Sequence, residues 1–312
     1  MCAHRVDAQL HTWPQGDAQV RVPITTLWVS PDAPRSADAA MVHSQPRIER
    51  WLSTMGHDDK LSLVVRVSTQ ALLGEAVITM GSHNGWTEVR LPWQPTGADP
   101  RGYPGWIPSA HLAERTAQGD HPLVVLTDRL TFHPALPEPL SGGTILRSDG
   151  AGIVWHPDGM PLELGHPTAV VSPLCSPAAW SASSASGSSA HSSVMLATAA
   201  RFLGVGYLWG GLSGWGVDCS GLVHLAGRMN ALILPRDSTD QFVAAQSGAL
   251  ALDKGSLRWF KHPVGHPRAG EVRHVGMAVS DNRLLHAPRT GFVVELISQD
   301  EEPYASDAMN EP

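Results

Sequence analysis

Along the first half of the chain, apolar and polar positions alternate in short blocks and do not fall at helical spacing. Leu61–Val67 (LSLVVRV) is alternating and β-branched, Glu75–Met80 (EAVITM) is a second block and Trp86–Leu91 (WTEVRL) a third, with glycine-rich or polar turns between them; each predicts a strand. A small barrel is the economical way to close such strands, because it leaves few unpaired edges. The piece Gly102–Pro108 (GYPGWIP), followed by Ser109, Ala110, His111 and Leu112, sets aromatics beside the glycines of a tight turn. A further series, Leu123–Leu126, Thr144–Leu146 and Gly152–Trp155, is punctuated by Pro and Gly and predicts a second barrel.

The pattern then changes. Residues 172–193 turn to serine and alanine (SASSASGSSAHSS), too poor in apolar side chains to pack, and predict a linker. Beyond it, Val194–Leu203 (VMLATAARFL) carries apolar residues at helical spacing and stops at Gly204. The expected organisation is a barrel over 1–115, a second over 120–175, a linker over 176–193 and a compact C-terminal domain over 194–312.

Composition narrows the choice. With 42% apolar and 16% charged residues in 312, the chain can bury a core without staples. A net charge of −7 and the lack of any Lys/Arg run remove the footprint expected for binding nucleic acid. The first thirty residues lack an apolar run behind a basic start, and no stretch approaches the roughly 18–20 apolar residues of a membrane span. A soluble, cytoplasmic protein is the expectation. Cys2, Cys175 and Cys219 are too scattered for a disulfide framework and read as reduced thiols. His262 and His266 sit close together without a ligand spacing, so neither a metal nor an organic cofactor is expected.

Chemistry concentrates in Gly206–Val223 (GYLWGGLSGWGVDCSGLV). From Ser220 onward Leu222, Val223, Leu225, Ala226 and Met229 fall on one helical face, which places Cys219 at a helix N-terminus reached by a glycine loop. Unpaired N–H groups and the positive end of the helix dipole favour a thiolate there. A thiolate nucleophile needs a base, and the base an orienting group. Arg273–Ser280 (RHVGMAVS) alternates as a strand, Asp281 and Asn282 form a turn, and Leu284–Pro288 (LLHAP) returns. The hairpin sets His274 beside His286, with His274 as base and His286 holding its other ring nitrogen.

These residues carry a resemblance. Tyr207-Leu-Trp-Gly-Gly211, Asp218-Cys-Ser-Gly-Leu222, Pro235-Arg236 with Gln241, His274-Val-Gly-Met277 and His286-Ala-Pro288 stand in the order and spacing of the NlpC/p60-type cell-wall peptidases. The similarity covers residues 194–298 and implies an α+β, papain-like catalytic domain: a small antiparallel sheet on helices, preceded here by two SH3-like β-barrels. The whole layout resembles the γ-D-glutamyl-L-diamino acid endopeptidases that need a free N-terminal L-Ala. That resemblance implies Cys219, His274 and His286 as catalytic residues and Tyr207, Asp218 and Ser220 as substrate contacts. It also implies Glu75 and Tyr103 as contacts from the first barrel. It departs from the family pattern where Gly270-Glu-Val-Arg runs directly into His274, so the sheet is expected to lack or shorten one strand.

The expected function is hydrolysis of peptidoglycan stem peptides, L-Ala-γ-D-Glu-diamino acid, in murein recycling, by a thiol and without a cofactor. The alternatives are a wall-peptide-binding protein whose catalytic domain has decayed, and a papain-like acyl or amide transferase.

Overall fold

Strands dominate the chain up to residue 173 and the longer helices follow it, an α+β arrangement. The computed structural model describes residues 14–115, 121–125, 129–130, 139–148, 154–162, 171–173, 188–230, 232–250, 252–253 and 255–298. Seven strands, β1 (Ala18–Val20), β2 (Ile24–Trp28), β3 (Val67–Leu72), β4 (Ala76–His83), β5 (Trp86–Leu91), β6 (Tyr103–Pro108) and β7 (Leu112–Glu114), form one sheet in the order β3-β2-β6-β5-β4-β1-β7. In β5 the buried positions are Thr87, Val89 and Leu91, alternating as one inward face of a strand must. Val89 and Leu91 join Val20, Leu27, Val77 and Ile107 in a small core.

The expected strand over Leu61–Val67 is not formed. Gly56 leads instead into a helix, the third of three short ones between β2 and β3: α1 (Ala39–Val42), α2 (Ile48–Thr54) and α3 (His57–Leu61). The Asp59 carboxylate accepts the Gly56 N–H at 3.1 Å, and Asp58 and Asp59 occupy the first turn, where the helix dipole favours negative charge. A 3-10 turn over Ser62–Val65 follows, with Leu63 buried and Val65 exposed, and the strand starts only at Val67. On α2, Trp51 is fully buried, edge-on to Trp28 with ring centroids 6.4 Å apart.

A second sheet, in the order β13-β12-β11-β8-β14, joins β8 (His121–Val125), β11 (Ile145–Ser148), β12 (Val154–Trp155), β13 (Pro161–Leu162) and β14 (Val171–Pro173). Beside it β9 (Arg129–Leu130) pairs with β10 (Leu140–Ser141). The linker expectation over 176–193 falls in part outside the described residues. Its last part is helical: α4 runs over Ser188–Ala199, six residues ahead of the predicted start.

The C-terminal unit continues with a short hairpin, β15 (Leu212–Ser213) and β16 (Gly216–Val217), then α5 (Cys219–Met229) and α6 (Ser238–Gln246). An antiparallel sheet follows, β17 (Leu257–Lys261), β18 (Val272–Ser280), β19 (Arg283–His286) and β20 (Glu295–Ser298), in sequential order. No strand is missing ahead of His274. The expected deletion is corrected by β17, whose Phe260 lies opposite His274, and the Pro/Gly-rich segment 262–271 is the turn between β17 and β18. Helix α5 differs from the one-faced helix of the sequence pattern, because every residue from Cys219 to Met229 is buried, His224 and Arg228 included.

Its burial comes from both halves of the chain. Trp28, Trp51, Trp93 and Ile145 share one hydrophobic cluster with Phe202, Leu222, Leu225 and Met277. The seam is β3, an edge strand whose open side is covered by the loop of the Tyr207-Leu-Trp-Gly-Gly211 motif. Trp209 Nε1 donates to the Val67 carbonyl at 3.1 Å, and Leu212 N–H donates to Gln70 Oε1 at 3.0 Å. Gly210 has φ +69°, and a Cβ there would stand 2.7 Å from Val67 Cγ1, so only glycine lets this loop close on the strand.

Candidate active site

Asp218 is the N-cap of α5: its Oδ1 accepts the Gly221 N–H at 2.6 Å. A Cβ at Gly221 would fall 2.2 Å from the Gly211 carbonyl oxygen, which explains the glycine of the Asp-Cys-Ser-Gly run. Cys219 therefore opens the helix where the sequence places it, and it lines a cleft of about 690 Å³. Backbone N–H groups of Ser220 and of Val275, the residue after His274, face its thiol.

The expected resting thiolate is reversed by the surroundings. Burial pushes the Cys219 thiol up to about 12, with the Asp218 charge adding to the rise against the two N–H groups. His274 is held well below its ordinary value, first by burial and then by His286 and Arg273. Burial of both groups thus works against their charged forms and, at the thiol, outweighs the helix terminus.

His274 Nε2 and His286 Nδ1 are 2.9 Å apart, the two side chains lying diagonally across the β18–β19 hairpin. This contact engages Nε2 of His274 with His286. His286 is pushed down to about 4 by burial. Glu295, its cross-strand partner on β20, has Oε1 3.7 Å from His286 Nε2.

The same cleft is lined by Tyr207, Asp218, Ser220 and Tyr103, so four of the five expected substrate contacts are brought to Cys219. Tyr207 is held by its N–H donating to the Phe292 carbonyl at 2.8 Å. Ser220 Oγ lies 3.3 Å from Asp218 Oδ1. Tyr103 OH bonds both oxygens of Asp237 at 3.0 Å. Glu75 is the exception and is a correction to the sequence reading. It is fully buried outside the cleft, where Arg228 Nη1 donates to its Oε2 at 2.9 Å and Gln94 Nε2 to its Oε1 at 2.8 Å. A carboxylate this deep persists because it is paired, and its partner is the far end of α5.

Two residues escaped the sequence reading of roles. Asp237 lines the cleft, and burial raises its carboxyl above the usual range despite the neighbouring Arg236. Arg236, itself fully buried, spans Asp218 with Nη1–Oδ1 at 3.0 Å and Nη2–Oδ2 at 2.7 Å, and its Nε donates to Thr69 Oγ1 of β3 at 2.8 Å. The signal is present in the sequence: Pro235-Arg236 stands among the motifs that carry the resemblance, and Asp237 precedes the Ser238 helix as an N-cap acid would. Among the described residues no cluster of three or more His, Cys, Asp or Glu is placed to hold a metal ion.

The family model described as the NlpC/P60 family matches residues 204–311. The chain is 31% identical over 304 residues to the γ-D-glutamyl-L-lysine dipeptidyl-peptidase of Bacillus subtilis (strain 168), covering 91% of this chain and 94% of that protein. It is 29% identical over 309 residues to the protein of the same name from Bacillus cereus, covering 90% and 85%. The crystal structure of an NlpC/P60 family protein from Bacillus cereus ATCC 10987 superposes with a TM-score of 0.74 at 27% identity, over 94% of this chain and 96% of that one. Identity that extends through the β-rich half as well as the cysteine domain goes beyond a shared motif, and the chain belongs to the NlpC/P60 family of peptidases.

Proposed function

We propose that this peptidase cleaves the γ-D-glutamyl bond to the diamino acid in peptidoglycan stem peptides that begin with a free L-Ala, and that it acts on short released peptides in murein recycling. The first of the two N-terminal sheets, read as SH3-like barrels, supplies one wall of the cleft. The observation that carries the reading is a wall from the first sheet and the start of α6, Tyr103 bonded to Asp237, in the cleft that also holds Cys219 and the His274–His286 pair. Asp218 is already engaged by Arg236 and by the cap of α5, so Asp237 is the acid facing substrate. A buried carboxyl raised by desolvation gains most from an arriving ammonium, and a substrate without one leaves it uncompensated.

In the reaction, Cys219 Sγ attacks the γ-carbonyl of D-Glu as its proton passes to His274, with His286 holding the ring. The backbone N–H of Cys219 and the Tyr207 hydroxyl stabilise the oxyanion, a contribution of about 3 kcal/mol for one such donor. His274 returns the proton to the leaving α-amine of the diamino acid, and water, deprotonated by the same imidazole, releases L-Ala-γ-D-Glu. The test is turnover of L-Ala-γ-D-Glu-diaminopimelate and of its N-acetyl derivative. Cys219→Ala should abolish cleavage with the fold intact, and acetylation should remove turnover by the wild type. Equal cleavage of both peptides would end the amine-gated reading.

A further inference from the structure

The cationic side chains of the cleft come from the strand and turn that carry His274. Arg268 and Arg273 line it, whereas its acids, Asp218, Asp237 and Asp240, come from the two helix starts. The register explains how Arg273 arrives there. Phe260 pairs with His274, but Lys261 pairs with Val272, which leaves Arg273 as an extra residue in a β-bulge. In regular alternation Arg273 would point to the opposite face from His274, and the bulge breaks that alternation beside the catalytic position. The turn that presents Arg268 is braced. The His262 N–H donates to the Glu271 carbonyl at 2.9 Å, and Gly270 N–H to the His262 carbonyl at 3.1 Å. Arg268 N–H donates to His266 Nδ1 at 3.0 Å, and the His262 and His266 rings stack with centroids 4.1 Å apart.

Chemistry fixes which part of a substrate meets these groups. The residue that hands a proton to the leaving nitrogen stands on the leaving group's side of the thiol, so the residues around His274 face the diamino acid. The acids of the cleft have hydrogen-bonding partners of their own. Asp218 is spanned by Arg236, Asp237 is bonded by Tyr103, and Asp240 accepts from Thr96 Oγ1 at 3.0 Å and Gly97 N–H at 2.9 Å. Glu271 does pair with Arg268, at 2.8 Å, but both side chains are more than half exposed, and such a pair exchanges readily for another carboxylate.

We propose that Arg268 and Arg273, at the turn that His262 helps to hold, form a carboxylate subsite for the leaving diamino acid. This rests on the endopeptidase reading above and adds to it what the far side of the scissile bond must carry. The carboxylate has two sources, the C-terminal α-carboxylate of a tripeptide and the second carboxylate of a diaminodicarboxylic acid. A C-terminal lysine offers only the first of these, a C-terminal diaminodicarboxylic acid both.

The test measures kcat/KM for L-Ala-γ-D-Glu-lysine, the same peptide with its C-terminus amidated, L-Ala-γ-D-Glu-diaminopimelate, and the last with its side-chain carboxylate amidated. Amidation of the recognised carboxylate should lower kcat/KM by about 10- to 100-fold in the wild type, the effect of losing a hydrogen bond to a charged group. The pair that responds identifies the source. Arg273→Gln and Arg268→Gln should shrink that ratio and Arg273→Lys should keep part of it. If Arg273→Gln does not fold, the exposed Arg268 still gives the reading. A wild-type ratio below about twofold in both pairs, or a ratio unmoved in the glutamine variants, overturns the subsite while the peptidase reading stands; failure to cleave all four peptides overturns both.

Discussion

Replacing Arg228 by methionine should destabilise the protein by about 3–5 kcal/mol, the usual effect of stripping one partner from a buried ion pair. The structure supports the upper part of that range. Arg228 and Glu75 have side chains 1% and 0% exposed, and two contacts of 2.8 and 2.9 Å join them across 153 residues of sequence. After Arg228→Met, Glu75 retains only the Gln94 amide at 2.8 Å and the Leu72 N–H at 3.3 Å, two neutral donors for a full charge. Adding Glu75→Gln removes the stranded charge, so the double variant should be more stable than Arg228→Met alone. Urea unfolding reads the cycle: with an m of about 2–3 kcal/mol/M, a loss of about 4 kcal/mol lowers the midpoint by roughly 1.3–2 M. Strict additivity of the two substitutions, or an unmoved midpoint, would refute the pairing. A kinetic control separates this from a substrate role. Glu75→Gln should leave the kcat/KM ratio between free-amine and N-acetyl peptides unchanged, and a collapse of that ratio would return Glu75 to the binding site.

Iodoacetamide should alkylate Cys219 in the free enzyme at a rate that climbs about tenfold per pH unit between pH 6 and 9, as expected of a thiol raised to about 12; a plateau below pH 8 would reveal a resting ion pair instead. His111, His224, His274 and His286 are all buried with depressed affinity for protons, two of them down to about 4. Between pH 6.5 and 4 the unfolded chain therefore takes up protons that the folded one refuses, and stability should fall by about 2 kcal/mol per histidine from pH 7.5 to pH 5; urea midpoints that hold steady over this interval would contradict the assignment. Glu295→Gln should lower kcat by no more than about fivefold with KM unchanged, because its contact with His286 is 3.7 Å long and partly exposed; a loss of several hundredfold would make Glu295 a full member of the relay.

What could be read from the sequence was local. Asp218, Cys219 and Gly221 are joined by a cap within four residues, and His274 and His286 by one hairpin, so short spacings sufficed to place them. The first wall was harder. Glu75 looked like a barrel surface acid because nothing near it in sequence announces Arg228, and Tyr103 could not be tied to Asp237, 134 positions away. Strand β17 was overlooked because its pattern, Leu-Arg-Trp-Phe-Lys, alternates only in part and is cut from His274 by a turn with two prolines. The run before Val67 misled in the opposite direction: its β-branched valines outweighed Asp58 and Asp59, which in the folded chain start a helix. The thiol follows the same rule: a helix terminus is visible in sequence, and the burial that pushes the thiol up is not.

The buried seam along β3 limits how this enzyme can be divided or recombined. Cutting the chain ahead of α4 would leave the cysteine helix with an unmatched guanidinium at its far end and a tryptophan loop without its strand. The strand-rich half would keep a bare hydrophobic edge. The two halves are consequently inherited together here: any exchange of the strand-rich half for another has to carry the matching face of the thiol-bearing helix with it.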